Sequence, residues 1–303
     1  MQVLSRLFFT LVVLCACGIV YFLLCPRLCS SLCWFGCRPR EGKESRLAPS
    51  FKTARFEGYI SVPDGKPLAQ IPCRQCAVVS SSGQMLGSRS GKEIDAKECV
   101  LRMNQAPTQG FEEDVGSRST LRVVSHTSIP LLLRNQSYFF KQSCDTTYII
   151  WGPPRLMSRE KIGLVYRTLA KVKEMYPALR LYTLTEQTMA RCDELFQLET
   201  GKNRMKSGSF LSTGWFTMVL AMELCEQIFV FGMVSENYCN RDKNQPPVPY
   251  HYFEKGRLDE CRMYQAHERA ARGGHRFITE KAIFSRWAKK RKIIFTHPSW
   301  SDG

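Results

Sequence analysis

The sequence predicts an α/β protein: a single Rossmann-like domain whose sheet is mostly parallel, with helices on both faces. Two observations predict it. From about residue 76, apolar runs of strand length alternate with segments of helical periodicity. Loops of small residues follow several of those runs, as expected where parallel strands end beside helix N-termini.

The elements follow in order. CAVVS (76–80) is a short buried-strand pattern, and the loop SSGQMLGSRSG comes after it. ECVLRMN (98–104) and TLRVVSH (120–126) are further strands. TTYIIWGPP (146–154) is another, stopped by Pro153 and Pro154. A helix is expected over 158–176, with Ser158 as N-cap and Ile162, Val165, Leu169 and Val172 at helical spacing. LRLYTLT (179–185) reads as a strand and EQTMARCDELFQL (186–198) as a helix. STGWFTMVLAMELCE (212–226) is a second helix, apolar nearly all round and therefore expected in the core. It runs straight into the strand QIFVFGMV (227–234).

The chain has 303 residues, room for one large domain or two small ones with a sizeable core. A hydrophobic content of 44% excludes a largely disordered chain. Residues 7–24 (LFFTLVVLCACGIVYFLL) carry no charge and are long enough to span a bilayer. A cleaved signal peptide is the competing reading, but the run is long and lacks a small-x-small cleavage site. The expected layout is a tail at 1–6, a signal anchor at 7–24, a stem at 25–72 and a compact domain at 73–303. Arg27, Arg38 and Arg40 after the anchor favour a cytoplasmic bulk. The single glycosylation sequon, at Asn135, and eight cysteines beyond residue 70 favour an oxidising lumen. Cys15, Cys17, Cys25, Cys29, Cys33 and Cys37 lie in or after the anchor, where palmitoylation or a disulfide-linked homodimer is open to them. No histidine or carboxylate completes a zinc set there.

The net charge is +16, which suits an anionic partner or substrate as well as a simply solvated basic surface. No zinc-finger or RNA-recognition motif accompanies it, so nucleic acid is not expected as a partner. RWAKKRK (286–292) reads as a solvated helix face. Gly83, Gly87 and Gly91 do not form the dinucleotide-binding fingerprint. Three loops are placed to bind an anion: SSSG (80–83), NQAPT (104–108) and SGSFLSTG (207–214). Five histidines, His126, His251, His267, His275 and His297, are the natural candidates for acid–base work at neutral pH.

Four stretches, in this order, resemble the animal sialyltransferase family. The large motif matches CRQCAVVSSSGQMLGSRSGKEIDAKECVLRMNQAPTQGFEEDVGSRSTLRVV (73–124), and the small motif matches SFLSTGWFTMVLAMELCEQIFVFGM (209–233). HYFE (251–254) matches the third, and His275 and Glu280 in HRFITE match the last. The RMNQAPT variant and the short stem look most like the subgroup that sialylates the 6-hydroxyl of GalNAc. Within it, members acting on already sialylated Gal-GalNAc are most similar.

The resemblance implies a fold, a reaction and a set of roles. The fold would be a variant of the GT-A type. Sialic acid would pass from CMP-sialic acid to a sugar hydroxyl with inversion, on O-glycans or gangliosides, in the Golgi lumen. No cofactor or metal is implied, and no D-x-D motif occurs. Ser81, Ser82, Gly83 and Asn104 would hold the nucleotide. Ser212, Thr213 and Gly214 would cradle CMP at a helix N-terminus. His251 would hydrogen-bond the departing phosphate, and His275 would act as general base. Cys76 and Cys225 would form the disulfide joining the two long motifs.

Two departures from the family pattern matter. Many members have Asn where Ser81 stands, and many have Tyr where Phe210 stands, and phenylalanine cannot hydrogen-bond a phosphate. Glu280 lies about 500° of helical rotation from His275, so the two cannot pair on one continuous helix. With a helix starting near Thr279, His275 would sit in the preceding loop and Glu280 in the first turn, a structural place favoured by the helix dipole. His126 and His267 are read as structural, and His297 is placed near the cleft. A nucleotide-sugar hydrolase, a sialyltransferase of another linkage and a non-catalytic membrane lectin for sialylated glycans are the rival readings.

Overall fold

The computed structural model describes residues 54–70, 72–143, 145–240, 246–254 and 258–300. Nine strands form one sheet: β1 (Ala54–Ser61), β2 (Pro67–Gln70), β3 (Cys73–Val79), β4 (Cys99–Met103), β5 (Leu121–Ser125), β6 (Thr147–Trp151), β7 (Arg180–Leu184), β8 (Cys225–Phe231) and β9 (Ile293–His297). Their order is β2-β1-β7-β6-β5-β4-β3-β8-β9. The seven strands from β3 to β9 pair in parallel, while β1 runs antiparallel to both β2 and β7. The chain lays down β3 to β7 in one direction, then returns to place β8 and β9 on the other side of β3. The gap between β3 and β8 is therefore the topological switch point, where α/β sheets bind ligands.

Five helices of ten or more residues flank the sheet: α1 (Leu164–Met175), α2 (Glu186–Thr200), α3 (Thr213–Leu224), α4 (Glu260–Arg269) and α5 (Phe277–Ala288). Strand side chains alternate between two faces. Val78, Leu101, Val123, Ile149 and Val230 join one core with side chains of α2, α3 and α5. Val124, Tyr148 and Ile150 face the opposite side with Tyr166, Leu169 and Val172 of α1. Ala77, Val79, Val100 and Phe231 pack there under Met85, Ile94 and Val115. Helix α3 buries Trp215, Phe216, Met218, Val219, Leu220, Ala221 and Leu224, which explains a sequence without a polar face.

Three boundaries differ from expectation. Residues 54–70, expected in the stem, form β1 and β2, so the folded unit begins ahead of Cys73. The helix expected over 158–176 starts at Leu164, capped by Gly163. Ser158 Oγ does accept from Lys161 N at 3.1 Å, but that turn ends at Ile162, whose φ is +49° and whose side chain is exposed. The strand after α3 begins at Cys225 rather than 227 and stops before Gly232, whose φ is +78°.

Disulfides join Cys73 to Cys99, Cys76 to Cys225 and Cys239 to Cys261. The Cys76–Cys225 pairing is the one the resemblance implied. Cys192 is a buried free thiol, pushed up to about 12 by burial. Among the described residues no helix is long and apolar enough to cross a membrane. Residues 7–24 and the six N-terminal cysteines lie outside the described residues.

Candidate active site

A cleft of about 140 Å³ opens at the carboxyl ends of β3, β4 and β8. Ser80, Ser81 and Ser82 after β3, Asn104 after β4 and Met233 after β8 form one wall. Ser212, Thr213 and Gly214 at the start of α3, with His251 and His275, form the other. Segments that are far apart in sequence thus meet at the switch point.

Helix α3 presents its N-terminus to the cleft. Ser212 caps it by accepting from Trp215 N at 3.1 Å. Glu280, 2% exposed in the first turn of α5, reaches across to that cap. Its carboxylate accepts from Ser212 N at 2.9 Å and, in a very short contact, from Ser212 Oγ. Burial pushes the Glu280 carboxyl up to about 7, with the Ser212 hydrogen bonds opposing the rise. Glu280 therefore fixes the helix that lines the cleft. It serves the N-terminus of α3, as well as standing at the start of its own helix.

Asn104 has φ +46°, a left-handed conformation that asparagine tolerates better than most residues. Its Oδ1 accepts from Ser125 N at 2.9 Å and its Nδ2 donates to Thr213 Oγ1 at 3.4 Å. Its carbonyl accepts from Arg122 Nη1 at 2.8 Å. The side chain is tied to the α3 terminus and the backbone to a guanidinium that is 2% exposed. Ser82 accepts from Gln84 N at 3.0 Å, closing the turn after β3. Gly83 does not line the cleft. Its N–H donates to Pro249 O at 2.9 Å, and a Cβ there would stand 2.3 Å from that oxygen. Its glycine is required by packing rather than by a ligand.

His275 sits in the loop between α4 and α5, as expected, and α5 begins at Phe277 rather than Thr279. The two helices close each other's ends around that loop. Arg276 Nη1 and Nη2 donate to the carbonyls of His267, Glu268 and Ala270, at the end of α4. Glu268 accepts from Ile278 N at 2.9 Å and Thr279 N at 3.3 Å, at the start of α5. Gly274 passes so close to α4 that a Cβ would lie 2.2 Å from the His267 carbonyl. His275 Nδ1 stands 3.1 Å from Phe210 O. A carbonyl can only accept, so Nδ1 carries the proton and Nε2 keeps its lone pair. The ring stacks on His267 with centroids 5.4 Å apart, and His275 N donates to His267 Nδ1 at 3.2 Å. Burial lowers the pKa of His275, and His267 lowers it further, while the Phe210 carbonyl opposes both. No sequence pattern marked this pairing with His267.

His251 stacks on Phe253 and lies tilted against Tyr250. Its Nδ1 is 3.2 Å from Glu254 Oε2, close enough for an ion pair but not aligned as a hydrogen bond. Burial lowers its pKa against the pull of Glu254. His297 does not reach the cleft; its Nε2 is 2.9 Å from Gln84 O and braces the turn after β3. His126 packs beside Trp151, and burial lowers its pKa. Phe210 is half exposed; its carbonyl meets His275 Nδ1, and its ring lies tilted against the His275 ring with centroids 6.4 Å apart. Asn135 is exposed at the end of the helix Ile129–Arg134, accessible to modification. Tyr250, Tyr264, Phe277, Lys281 and Phe284 also line the cleft, and no sequence pattern marked them. Among the described residues one cysteine group has metal-ligand spacing, Cys73, Cys76 and Cys99, and disulfides occupy all three.

Residues 53–292 match glycosyltransferase family 29 (sialyltransferase). The chain belongs to that family. This sialyltransferase is 62% identical over 292 residues to a human alpha-N-acetyl-neuraminyl-2,3-beta-galactosyl-1,3-N-acetyl-galactosaminide alpha-2,6-sialyltransferase, covering 96% of both chains. The mouse protein of the same description is 66% identical over 245 residues, 81% of this chain and 68% of that one. Mouse alpha-N-acetylgalactosaminide alpha-2,6-sialyltransferase 3 is 55% identical over 244 residues, 80% of this chain and 79% of that one. A crystal structure of a mammalian sialyltransferase aligns at TM-score 0.49 and 21% identity over 74% of this sialyltransferase and 69% of that chain.

Proposed function

We propose that this sialyltransferase is an alpha-2,6 enzyme that moves sialic acid from CMP-sialic acid to the 6-hydroxyl of GalNAc in sialylated Gal-GalNAc. The observation that carries the reading is the 62% identity over 96% of both chains to a human enzyme of that description. The cleft supports the chemistry on a GT-A-like variant of the Rossmann-like sheet. Asn104, Ser81, Ser82 and the α3 N-terminus with Ser212, Thr213 and Gly214 line that cleft and would hold the CMP moiety, with Gly83 packed behind them.

In this mechanism His275 Nε2 takes the proton of the acceptor hydroxyl as its oxygen bonds to the anomeric carbon. The bond from that carbon to the CMP phosphate oxygen breaks on the opposite face, which inverts the centre. His251 donates a hydrogen bond to the phosphate oxygen as charge develops there. The reading assigns no metal or other cofactor to the step, since CMP leaves as a monophosphate. His275→Ala should lower transfer by about 100-fold or more while CMP binding and the fold persist. Transfer at near wild-type rate would remove His275 from the base position. Release of free sialic acid without an acceptor would favour a hydrolase instead.

We also propose residues 7–24 as a signal anchor that holds the domain in the Golgi lumen, with an N-glycan on Asn135. The three disulfides and the exposed asparagine support a lumenal setting. A chain lacking residues 1–53 should be secreted, once given a cleavable signal, with a glycosidase-sensitive glycan. A full-length chain that salt or alkali strips from membranes would contradict the anchor.

A further inference from the structure

Lys281 stands one residue past Glu280 on α5 and lines the same cleft. It is 5% exposed, an unusual place for a lysine. Its ammonium sits 3.7 Å over the Tyr264 ring and 5.6 Å from the Phe277 ring. The three carboxylates near it are engaged elsewhere, Glu268 with Ile278 N and Thr279 at the start of α5. Glu260 accepts from Tyr264 Oη at 2.5 Å and Gln84 Nε2 at 2.9 Å, and Glu280 accepts from Ser212. Among the described residues no protein acceptor hydrogen-bonds Lys281 Nζ, and the side chain lines the cleft. An ammonium has three protons to place, and here the cleft is the side from which acceptors can reach them. Burial draws Lys281 down to about 8, with Glu260, Glu280 and Glu268 opposing. An incoming anion would restore the missing acceptors and hold the proton on. Neutralising Glu260 and Glu280 alone would not require the ammonium to border the cleft.

We propose that Lys281 is an anion-binding residue of this site, donating from Nζ to the phosphate or the carboxylate of the sialyl donor. The inference rests on the cleft being the CMP site. The two anionic groups are separated by three ligands: cytidine, which has neither; CMP, which has the phosphate; and CMP-sialic acid, which has both.

The test is the affinity of full-length wild type and Lys281→Met for each ligand, by calorimetry or competition. If the phosphate is the partner, Lys281→Met should weaken CMP about 10-fold or more and leave cytidine within about 2-fold. If the carboxylate is the partner, CMP and cytidine should be unchanged and CMP-sialic acid should weaken by that factor. Equal affinities for all three ligands in both proteins would overturn the proposal. An equal loss on all three, cytidine included, would assign Lys281 a structural role and also overturn it. Lys281→Gln serves if the methionine variant does not fold, and ratios between ligands in one preparation cancel any inactive fraction. Thr213→Val separates the two readings: if it leaves CMP binding by the wild-type background unchanged, the cleft assignment itself fails, whatever Lys281 does.

Discussion

As the proposed base, His275 would work only as a neutral imidazole, so its surroundings would set the pH at which the enzyme runs. Burial holds its pKa below the ordinary 6.5, with the His267 ring adding to the effect. The sign follows: the base is competent above its pKa and is lost as pH falls through it. The acid limb of kcat/KM should therefore have its midpoint below pH 6.5, measured as a rate profile with saturating acceptor, and a midpoint above 7 would contradict the environment described. His267→Ala should move that limb upward while His275→Ala removes the rate. At this scale the sequence carried only part of the site. Motif order singled out His275 and His251, and rotation around a helix separated Glu280 from His275. The partner of Glu280 was not legible, because Ser212 lies 68 residues away and only the fold brings the two together. Lys281 was equally hidden, since a lysine in a basic chain reads as surface until its burial is seen.

Helix termini connect the elements. The α3 N-terminus depends on α5 through Glu280, and the α4–α5 junction depends on Arg276 and Glu268. Glu280→Ala should cost about 1–3 kcal/mol in denaturant unfolding, since Ser212 loses its buried acceptor. It should also raise KM for CMP-sialic acid more than it lowers kcat. A kcat loss with unchanged KM would return Glu280 to direct chemistry. In a double-mutant cycle with Ser212→Ala the two costs should fall short of adding, as for groups in one hydrogen-bond network. Strand interiors were legible because β4 to β7 are short apolar runs ended by turns. The start of α1 was misplaced because Ser158 carries a true local capping signal that closes only one turn. Strand β1 was missed because its exposed residues alternate with half-buried ones and include Arg55 and Glu57, which read as a polar stem. Strand β9 follows the basic run RWAKKRK and was not expected from the sequence.

For the whole molecule, one crossover decides where the site lies. Placing β8 beside β3 rather than beyond β7 creates the switch point, and the Cys76–Cys225 disulfide holds those two strands together over a separation of 149 residues. The double variant Cys76→Ser/Cys225→Ser should lose about 2–5 kcal/mol of stability. Unfolding curves coincident with wild type would show that the bond contributes little. The α/β class and the parallel sheet were legible from alternation alone, whereas strand order was not, because periodicity says nothing about which neighbour a strand chooses. Activity should survive a divalent-metal chelator, and a loss restored by added metal would contradict the metal-free mechanism. The most direct measurement is incubation of the purified enzyme with CMP-sialic acid and two acceptors, Gal-beta-1,3-GalNAc with and without its alpha-2,3-sialic acid, followed by linkage analysis of the products. The account predicts a new alpha-2,6 bond to GalNAc on the sialylated acceptor. Sialic acid attached to galactose, or no product with either acceptor, would contradict it.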